Sequence, residues 1–200
     1  MIFDASKAII LEDDRVLLRP LQPDDLPAML EYVAAEPELW QYSVWPPNTT
    51  DAMRAYLENA LEKKANGDSY PFAVIDKKTK AFAGSTRFYD IQQEQDRLQL
   101  GYTWYGKTHH GTGLNAHCKL LMLTHAFEAL QAQRVEFRAD ANNARSIAAM
   151  KGIGATEEGI LRQHTKAWHG WRDVIVLSIL ADEWEATAKP LIQNKIRKHA

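Results

Sequence analysis

Residues 105–114 read Tyr105-Gly106-Lys107-Thr108-His109-His110-Gly111-Thr112-Gly113-Leu114 and join a predicted strand to the longest predicted helix. Glycine tolerates backbone conformations that bring the chain close to a ligand, and the first amides of a helix have no partners within it. Such a helix start can bind phosphate or pyrophosphate. The same pattern also fits a helix start that is only tightly packed, and the turn alone does not separate these two interpretations.

The turn matches neither of two common nucleotide-binding motifs. A P-loop requires a Lys-Ser or Lys-Thr pair after its second glycine, and here Leu114 and Asn115 follow Gly113. A dinucleotide-binding motif requires a third glycine near Ala116 and a doubly wound parallel sheet. The strands upstream of the turn are instead predicted to form an antiparallel meander, because their connections are short and sequential.

Hydrophobic periodicity away from the turn predicts about seven strands and five helices. The predicted strands are 15–20, 70–75, 81–89, 97–105, 134–139, 155–166 and 172–180; the predicted helices begin at Pro23 and span 51–64, 111–132, 143–152 and the tail from Asp182. One strand-helix-strand step, 97–139, lies within an otherwise antiparallel order. The pattern therefore predicts an α+β fold with a mixed, mostly antiparallel sheet in a single domain over 1–200.

Composition excludes several classes of protein. The 200 residues include 24 basic and 26 acidic side chains, 46% hydrophobic residues and one cysteine, Cys118. A disulfide scaffold is excluded, and no strongly basic surface for nucleic acid is indicated. The longest apolar stretch, 174–180, is too short for a membrane span, and the first residues lack the pattern of a signal peptide. We therefore expect a cytoplasmic protein without nucleic-acid or membrane partners.

Several stretches, taken in order, resemble the GNAT superfamily of acyl-CoA N-acyltransferases, and in particular the branch of ribosomal-protein N-terminal acetyltransferases. The resemblance covers 15–184. It is carried by His110-Gly111-Thr112-Gly113-Leu114-Asn115, Ala126-Phe127-Glu128, Arg134-Val135-Glu136-Phe137, Asn143-Ala144-Arg145-Ser146, Ile153-Gly154-Ala155-Thr156-Glu157-Glu158-Gly159, Arg172-Asp173, Ser178-Ile179-Leu180 and Glu183-Trp184.

This resemblance implies helices on both faces of the sheet and an acetyl-CoA site, with no metal. It implies that the pyrophosphate lies on His109, His110, Gly111, Thr112, Gly113 and Leu114, that the pantetheine arm pairs with the strand at Tyr102, Thr103 and Trp104, and that Asn143 and Ser146 line that arm. In this branch the serine is the candidate acid for the departing thiolate. Thr108 replaces the Arg or Gln that the family usually has.

The resemblance further implies acetyl transfer to a primary amine, either a protein N-terminus or a small molecule. Gln99 matches a position where the family often has a carboxylate base, so we expect a water held by Gln99 or by a backbone carbonyl, or desolvation of the amine, to replace that base. The aromatic residues predicted to wall the acceptor pocket are Trp40, Tyr42, Trp45, Phe88 and Tyr89. A homodimer is a further expectation.

Other interpretations remain open at this stage. A non-catalytic module that binds acyl-CoA would explain Gln99 and Thr108, and a nucleotide-binding regulator would bind ATP or NAD instead. His109, His110 and His117 lack the spacing of a metal site, and Cys118 on a helix is interpreted as a small buried residue rather than a nucleophile. The basic end of the chain, 189–199, is interpreted as a solvated helix end.

Overall fold

One sheet of eight strands runs through the protein in the computed structural model, which describes residues 1–199. The strands are β1 (Leu11–Glu12), β2 (Val16–Pro20), β3 (Ser69–Asp76), β4 (Ala81–Gln92), β5 (Arg97–Tyr105), β6 (Arg134–Asp140), β7 (Thr156–Ala167) and β8 (Gly170–Leu180). Their order is β1-β2-β3-β4-β5-β6-β8-β7. Only β5 and β6 pair in parallel; every other described pair is antiparallel.

The helices fall into an early pair and a later set. They are α1 (Leu26–Ala35), α2 (Thr50–Ala65), α3 (Leu114–Thr124), α4 (Ala144–Lys151), α5 (Ala181–Glu183) and α6 (Lys189–Arg197). The hydroxyl of Thr49 caps α2 by accepting a hydrogen bond from the Ala52 amide at 3.1 Å. A π-helical turn, His125–Ala129, continues α3, so the single helix predicted over 111–132 is observed as two segments.

Two hydrophobic cores lie on opposite faces of the sheet. Alternate residues of β3 divide between them, because successive side chains of a strand point to opposite faces. Phe72 and Val74 join the larger core with α3 and α6, whereas Ala73 joins the smaller core with α1 and α2. The prediction of an α+β fold with a mixed sheet and helices on both faces is confirmed, and the strand beyond the predicted seven is the two-residue β1.

The parallel pair of strands separates after only three residue pairs. Arg97, Leu98 and Gln99 of β5 pair with 134–136 of β6, and beyond them β5 keeps β4 as its neighbour while β6 keeps β8. We call the resulting gap, between residues 101–105 of β5 and 137–140 of β6, the wedge. The backbone edges that face the wedge lack a strand partner and can hydrogen-bond to a ligand.

A β-bulge lies on β5 beside the wedge. Ser85 pairs with Trp104 and Arg87 with Gly101, so Thr86 faces two residues, Tyr102 and Thr103. Tyr102 has a left-handed backbone with φ of +50°, a conformation that costs a side-chain-bearing residue roughly 1–2 kcal/mol. Bulges of this kind redirect a strand and are frequent next to active sites.

We expect Tyr102→Gly to be more stable than Tyr102→Ala by about 1 kcal/mol, because glycine relieves the left-handed strain. Urea unfolding of the two variants measures this difference. Thr103 is the matched control, because its φ is not positive and glycine there is expected to be less stable than alanine. The same order of stability at both positions would contradict the assignment of strain to Tyr102.

Candidate active site

The turn before α3 presents free backbone amides. Gly111 and Gly113 adopt φ of +72° and +86°, and Gly113 caps the helix without a side-chain hydrogen bond. Within residues 1–199, the amides of Gly111, Thr112, Gly113 and Asn115 have no hydrogen-bond partner. Such amides, together with the positive end of the helix dipole, attract an anion.

The two histidines of the turn have different environments. His109 is buried, and its Nδ1 lies 3.2 Å from a carboxylate oxygen of Asp76. Desolvation, together with the charge of Arg15, lowers the pKa of His109. The contact with Asp76 places the imidazole beside the end of β3. His110 is close to the backbone oxygen of Tyr105, with Nε2 2.9 Å away.

The N-terminus of α4 meets the turn through His110. Nη1 of Arg145 lies 3.1 Å from Nδ1 of His110. Because a guanidinium can only donate, Nδ1 of His110 is the acceptor in this contact, and Nε2 faces the Tyr105 carbonyl as a donor. The two motifs that follow β5 and β6 are therefore adjacent at the open end of the wedge.

Asn143 and Ser146 define the start of α4. The side-chain oxygen of Asn143 accepts a hydrogen bond from the Ser146 amide at 3.1 Å, a standard helix cap. The side-chain amide nitrogen of Asn143 and the hydroxyl of the half-buried Ser146 have no protein partners among the described residues.

The basic end of the chain lies beside the turn. A Cβ atom placed on Gly113 would be 2.9 Å from Cβ of His199, and one placed on Gly152 would be 2.4 Å from Nζ of Lys195. The end of α6 thus packs between the start of α3 and the end of α4. Arg197, Lys198 and His199 remain exposed, as expected for a solvated helix end.

Lys119 is a buried lysine that the sequence analysis did not single out. Its side chain from α3 reaches both strands of the wedge: Nζ is 3.4 Å from Oγ1 of Thr103 and 5.8 Å from the ring centre of Phe137. No carboxylate among the described residues forms an ion pair with it. Burial lowers the pKa of Lys119 to about 8.

Gln99 occupies the narrow end of the wedge. It is 1% exposed, and its amide nitrogen donates to Oδ2 of Asp90 at 2.6 Å. Its side-chain oxygen is buried and has no partner in the described chain. A buried oxygen without a donor is costly, which suits a water or an amine from a substrate. Asp90 brings a carboxylate to this point although the matching position is glutamine.

A cleft opens on the α2 side of the sheet next to this glutamine. Its volume is about 330 Å³. Tyr89 lines it, and so do Arg87, Asp90 and Tyr102. The role of Tyr89 in an acceptor wall stays a prediction. Tyr102 is half exposed and meets the Tyr89 ring edge-on at 5.0 Å.

The other predicted acceptor residues lie elsewhere. Phe88 is fully buried in the larger core on the opposite face of the sheet, and Trp40 is buried against Trp104, with ring centres 5.0 Å apart. Trp45 is exposed, while the backbone oxygen of Tyr42 accepts a hydrogen bond from Arg172 of β8 at 2.8 Å. The loop of residues 40–45 thus packs against the β7–β8 hairpin. None of the four residues Trp40, Tyr42, Trp45 and Phe88 lines the cleft.

Two carboxylates and a histidine form a cluster of potential metal ligands. Asp13, Asp14 and His117 have ligand atoms within 4.8 Å of one another, and His117 contacts Asp13 at 2.7 Å, which links α3 to the segment before β2. Cys118 is fully buried, and desolvation raises the pKa of its thiol to about 12.

Among residues 1–199, no helix combines the length and apolar character needed to cross a bilayer.

Comparisons with known proteins agree with this architecture. The family model for the acetyltransferase (GNAT) domain matches residues 15–156. The uncharacterized N-acetyltransferase p20 of Bacillus licheniformis is 26% identical over 175 residues, covering 87% of this chain and 97% of its own. A GCN5-related N-acetyltransferase structure from Brucella melitensis aligns with a TM-score of 0.86 and 25% identity over 97% of this chain and 86% of that chain.

A third comparison concerns the fold alone. The structure of Mycobacterium smegmatis RimJ in complex with CoA-disulfide has a TM-score of 0.73 and 20% identity, over 94% of this chain and 93% of that one. The open mixed sheet and the match to the family model support the class of acyltransferases. The chain belongs to the GNAT family.

We expect Lys119→Met to raise the free energy of unfolding at pH 7 by about 2 kcal/mol, because the folded protein no longer buries a charge. The folded pKa of about 8 lies below the usual 10.5, so the unfolded chain binds more protons between these values. Stability contributed by this group therefore rises with pH from about 8 to about 10.5.

Urea unfolding at pH 7 and pH 9.5 measures that rise in the native protein and its absence in Lys119→Met. Lys78→Met, at an exposed lysine in the turn between β3 and β4, serves as the control. An unchanged pH dependence in Lys119→Met would show that Lys119 does not titrate in this range.

Proposed function

We propose that the protein transfers the acetyl group of acetyl-CoA to a primary amine, by direct attack of the amine in a ternary complex. The observation that carries this proposal is the contact between His110 and Arg145, which joins the free amides before α3 to the start of α4 at the mouth of the wedge. Membership of the GNAT family supports acetyl-CoA as the co-substrate.

In this proposal the free amides of Gly111, Thr112 and Gly113 bind the pyrophosphate, and Leu114, whose amide donates to Oγ1 of Thr112 at 3.4 Å, begins the helix that follows them. The pantetheine arm lies in the wedge along Tyr102, Thr103 and Trp104, where β5 has lost its partner. Arg145, with Lys195 from the end of the chain, supplies positive charge that Thr108 does not. His109 supports the turn from inside through Asp76, and His110 orients Arg145.

The reaction makes three demands on the chain. The amine must be neutral when its nitrogen attacks the thioester carbon, the oxyanion needs a donor, and the sulfur needs a proton as the carbon–sulfur bond breaks. A backbone amide of the bulged β5 would serve the oxyanion, and Ser146 would give its proton to the thiolate. The oxygen of Gln99 would hold the amine or a water, which passes the amine's proton towards Asp90.

A non-catalytic acyl-CoA-binding module is the alternative, and Gln99 at the position of a base is the observation that favours it. Calorimetry with acetyl-CoA and a thiol-release assay with a panel of amines separate the two. Binding together with thiol release on any amine supports the enzyme. Binding without turnover on every amine would favour the module, and no binding would contradict both.

We expect Ser146→Ala to lower kcat by roughly 10–10³-fold with little change in the KM for acetyl-CoA, which is the range for loss of a general acid. Steady-state thiol release measures both constants. Ser6→Ala, at an exposed serine near the N-terminus, is the control. Full activity in Ser146→Ala would remove Ser146 from the mechanism.

For Arg145→Met we expect the KM for acetyl-CoA to rise by roughly tenfold and kcat to change less, because a charge-assisted contact to phosphate is lost. Lys151→Met, at the other end of the same helix, is the matched control. An equal rise in both variants would indicate general electrostatic attraction rather than a specific contact.

Three broader predictions accompany this function. They are a single domain over residues 1–200, a cytoplasmic location and a possible homodimer.

A further inference from the structure

Arg87 is a buried cation without a protein counter-ion. Its side chain is 2% exposed, and no carboxylate within residues 1–199 forms an ion pair with it. Its Nε and Nη2 atoms are buried and have no hydrogen-bond partner in the described chain. Removing a guanidinium from water in this way is costly unless a partner compensates it.

Other poorly exposed arginines of the protein do have such partners. Arg15 contacts Asp76, and Arg19 makes two hydrogen bonds to Asp25, at 2.6 and 2.9 Å. Arg87 is held instead by aromatic faces: Cζ lies 4.2 Å from the ring centre of Tyr102 and 5.0 Å from that of Tyr56. Stacking fixes the plane of a guanidinium and leaves its in-plane N–H groups available for a bidentate anion.

The position of Arg87 relates it to the reaction. Arg87 pairs across the sheet with Gly101, the first residue of β5 beside the wedge, and it lines the same cleft as Tyr89 and Asp90. Tyr89 in turn pairs with Gln99. An anion bound by Arg87 would therefore lie one strand away from the point where the amine is expected to meet the thioester.

The composition of the cleft favours a carboxylate over a phosphate. The cleft is lined by two carboxylates, Asp68 and Asp90, and by two cations, Lys63 and Arg87. This balance suits a ligand that carries one negative and one positive charge better than a dianion, because the carboxylates would attract an ammonium group on the same ligand. A volume of about 330 Å³ is at the lower end of the range for ligand pockets. These features fit a small zwitterion.

We propose that the acceptor amine carries a carboxylate close to its amino group, and that this carboxylate binds the free in-plane edge of Arg87 between Tyr56 and Tyr102. The proposal rests on the transferase function proposed above and adds the class of acceptor. The acceptor is then a free amino acid, or a polypeptide whose first residue is acidic.

The test compares acceptors that differ only at the carboxylate. Thiol release from acetyl-CoA is followed with a panel of free amino acids beside their carboxamides, and with peptides that begin with Asp beside peptides that begin with Asn. We expect kcat/KM to favour the carboxylate member by about 10–100-fold, the range for a hydrogen-bonded ion pair. A preference for amino acids over their carboxamides identifies free amino acids as the acceptors. A preference for Asp peptides over Asn peptides identifies polypeptides with an acidic first residue.

Arg87→Met is expected to abolish this preference while acetyl-CoA still binds, as calorimetry would show. Arg87→Lys keeps the positive charge but lacks the planar guanidinium, and we expect it to retain only part of the preference for the carboxylate acceptor. Arg54→Met, at an exposed arginine on the helix that carries Tyr56, is the control and is expected to keep the full preference.

The possible failures are distinguishable. Acetyl transfer at equal rates to both members of each pair in the native protein would overturn the acceptor assignment and leave the transferase intact, and that result does not depend on whether any variant folds. An undiminished preference in a folded Arg87→Met variant would also overturn it. Preference for a phosphorylated amine over both members would overturn the choice of carboxylate. Acetyl-CoA binding without transfer to any amine would contradict the transferase itself.

Discussion

The structure depends on the loss of pairing between β5 and β6 after Gln99. Parallel strands normally continue side by side, and here the bulge at Tyr102 and Thr103 turns β5 away after three pairs. The separation leaves two rows of backbone groups without partners and directs the helices that follow each strand to the same end of the gap. Every feature of the proposed cofactor site, from the amides of the turn to Ser146, follows from that geometry.

The two faces of the sheet have different electrostatic character near the gap. On the side of α3, Lys119 is buried between Thr103 and Phe137 with a lowered pKa. On the side of α2, Arg87 is buried between two tyrosine rings. Both charges oppose folding by themselves, since neither has a carboxylate partner in the described chain. Buried, uncompensated charge beside a gap in a sheet is typical of sites that bind anionic or polar ligands.

The sequence was informative where local pattern determines structure. Strand alternation and helix periodicity predicted the element order. The glycines of the turn were interpreted as positions where the backbone can approach a ligand, and Gly111 and Gly113 both adopt a left-handed conformation. The residue pattern placed Asn143 and Ser146 at the start of a helix, where Asn143 is the cap. The glycine turn could be identified from the pattern alone, and Thr108 and Gln99 through the family resemblance, because each has a fixed position relative to a strand.

Other features depend on long-range packing that no local pattern contains. The loop with Trp40 and Trp45 looked like an acceptor wall, but Trp40 is drawn into the smaller core by Trp104. Phe88 follows strand alternation to the opposite face from Tyr89, which strict period-two reasoning within β4 could have predicted. Lys119, Arg87 and the approach of His199 to Gly113 each require knowledge of which elements meet in three dimensions.

A crystal structure of the protein with CoA tests the central claim most directly. We predict density for the pantetheine arm between residues 101–105 and 137–140, with the pyrophosphate oxygens within hydrogen-bonding distance of the amides of Gly111, Thr112 and Gly113. CoA bound outside the gap, or a gap closed by the protein's own side chains while CoA is present at saturating concentration, would contradict it.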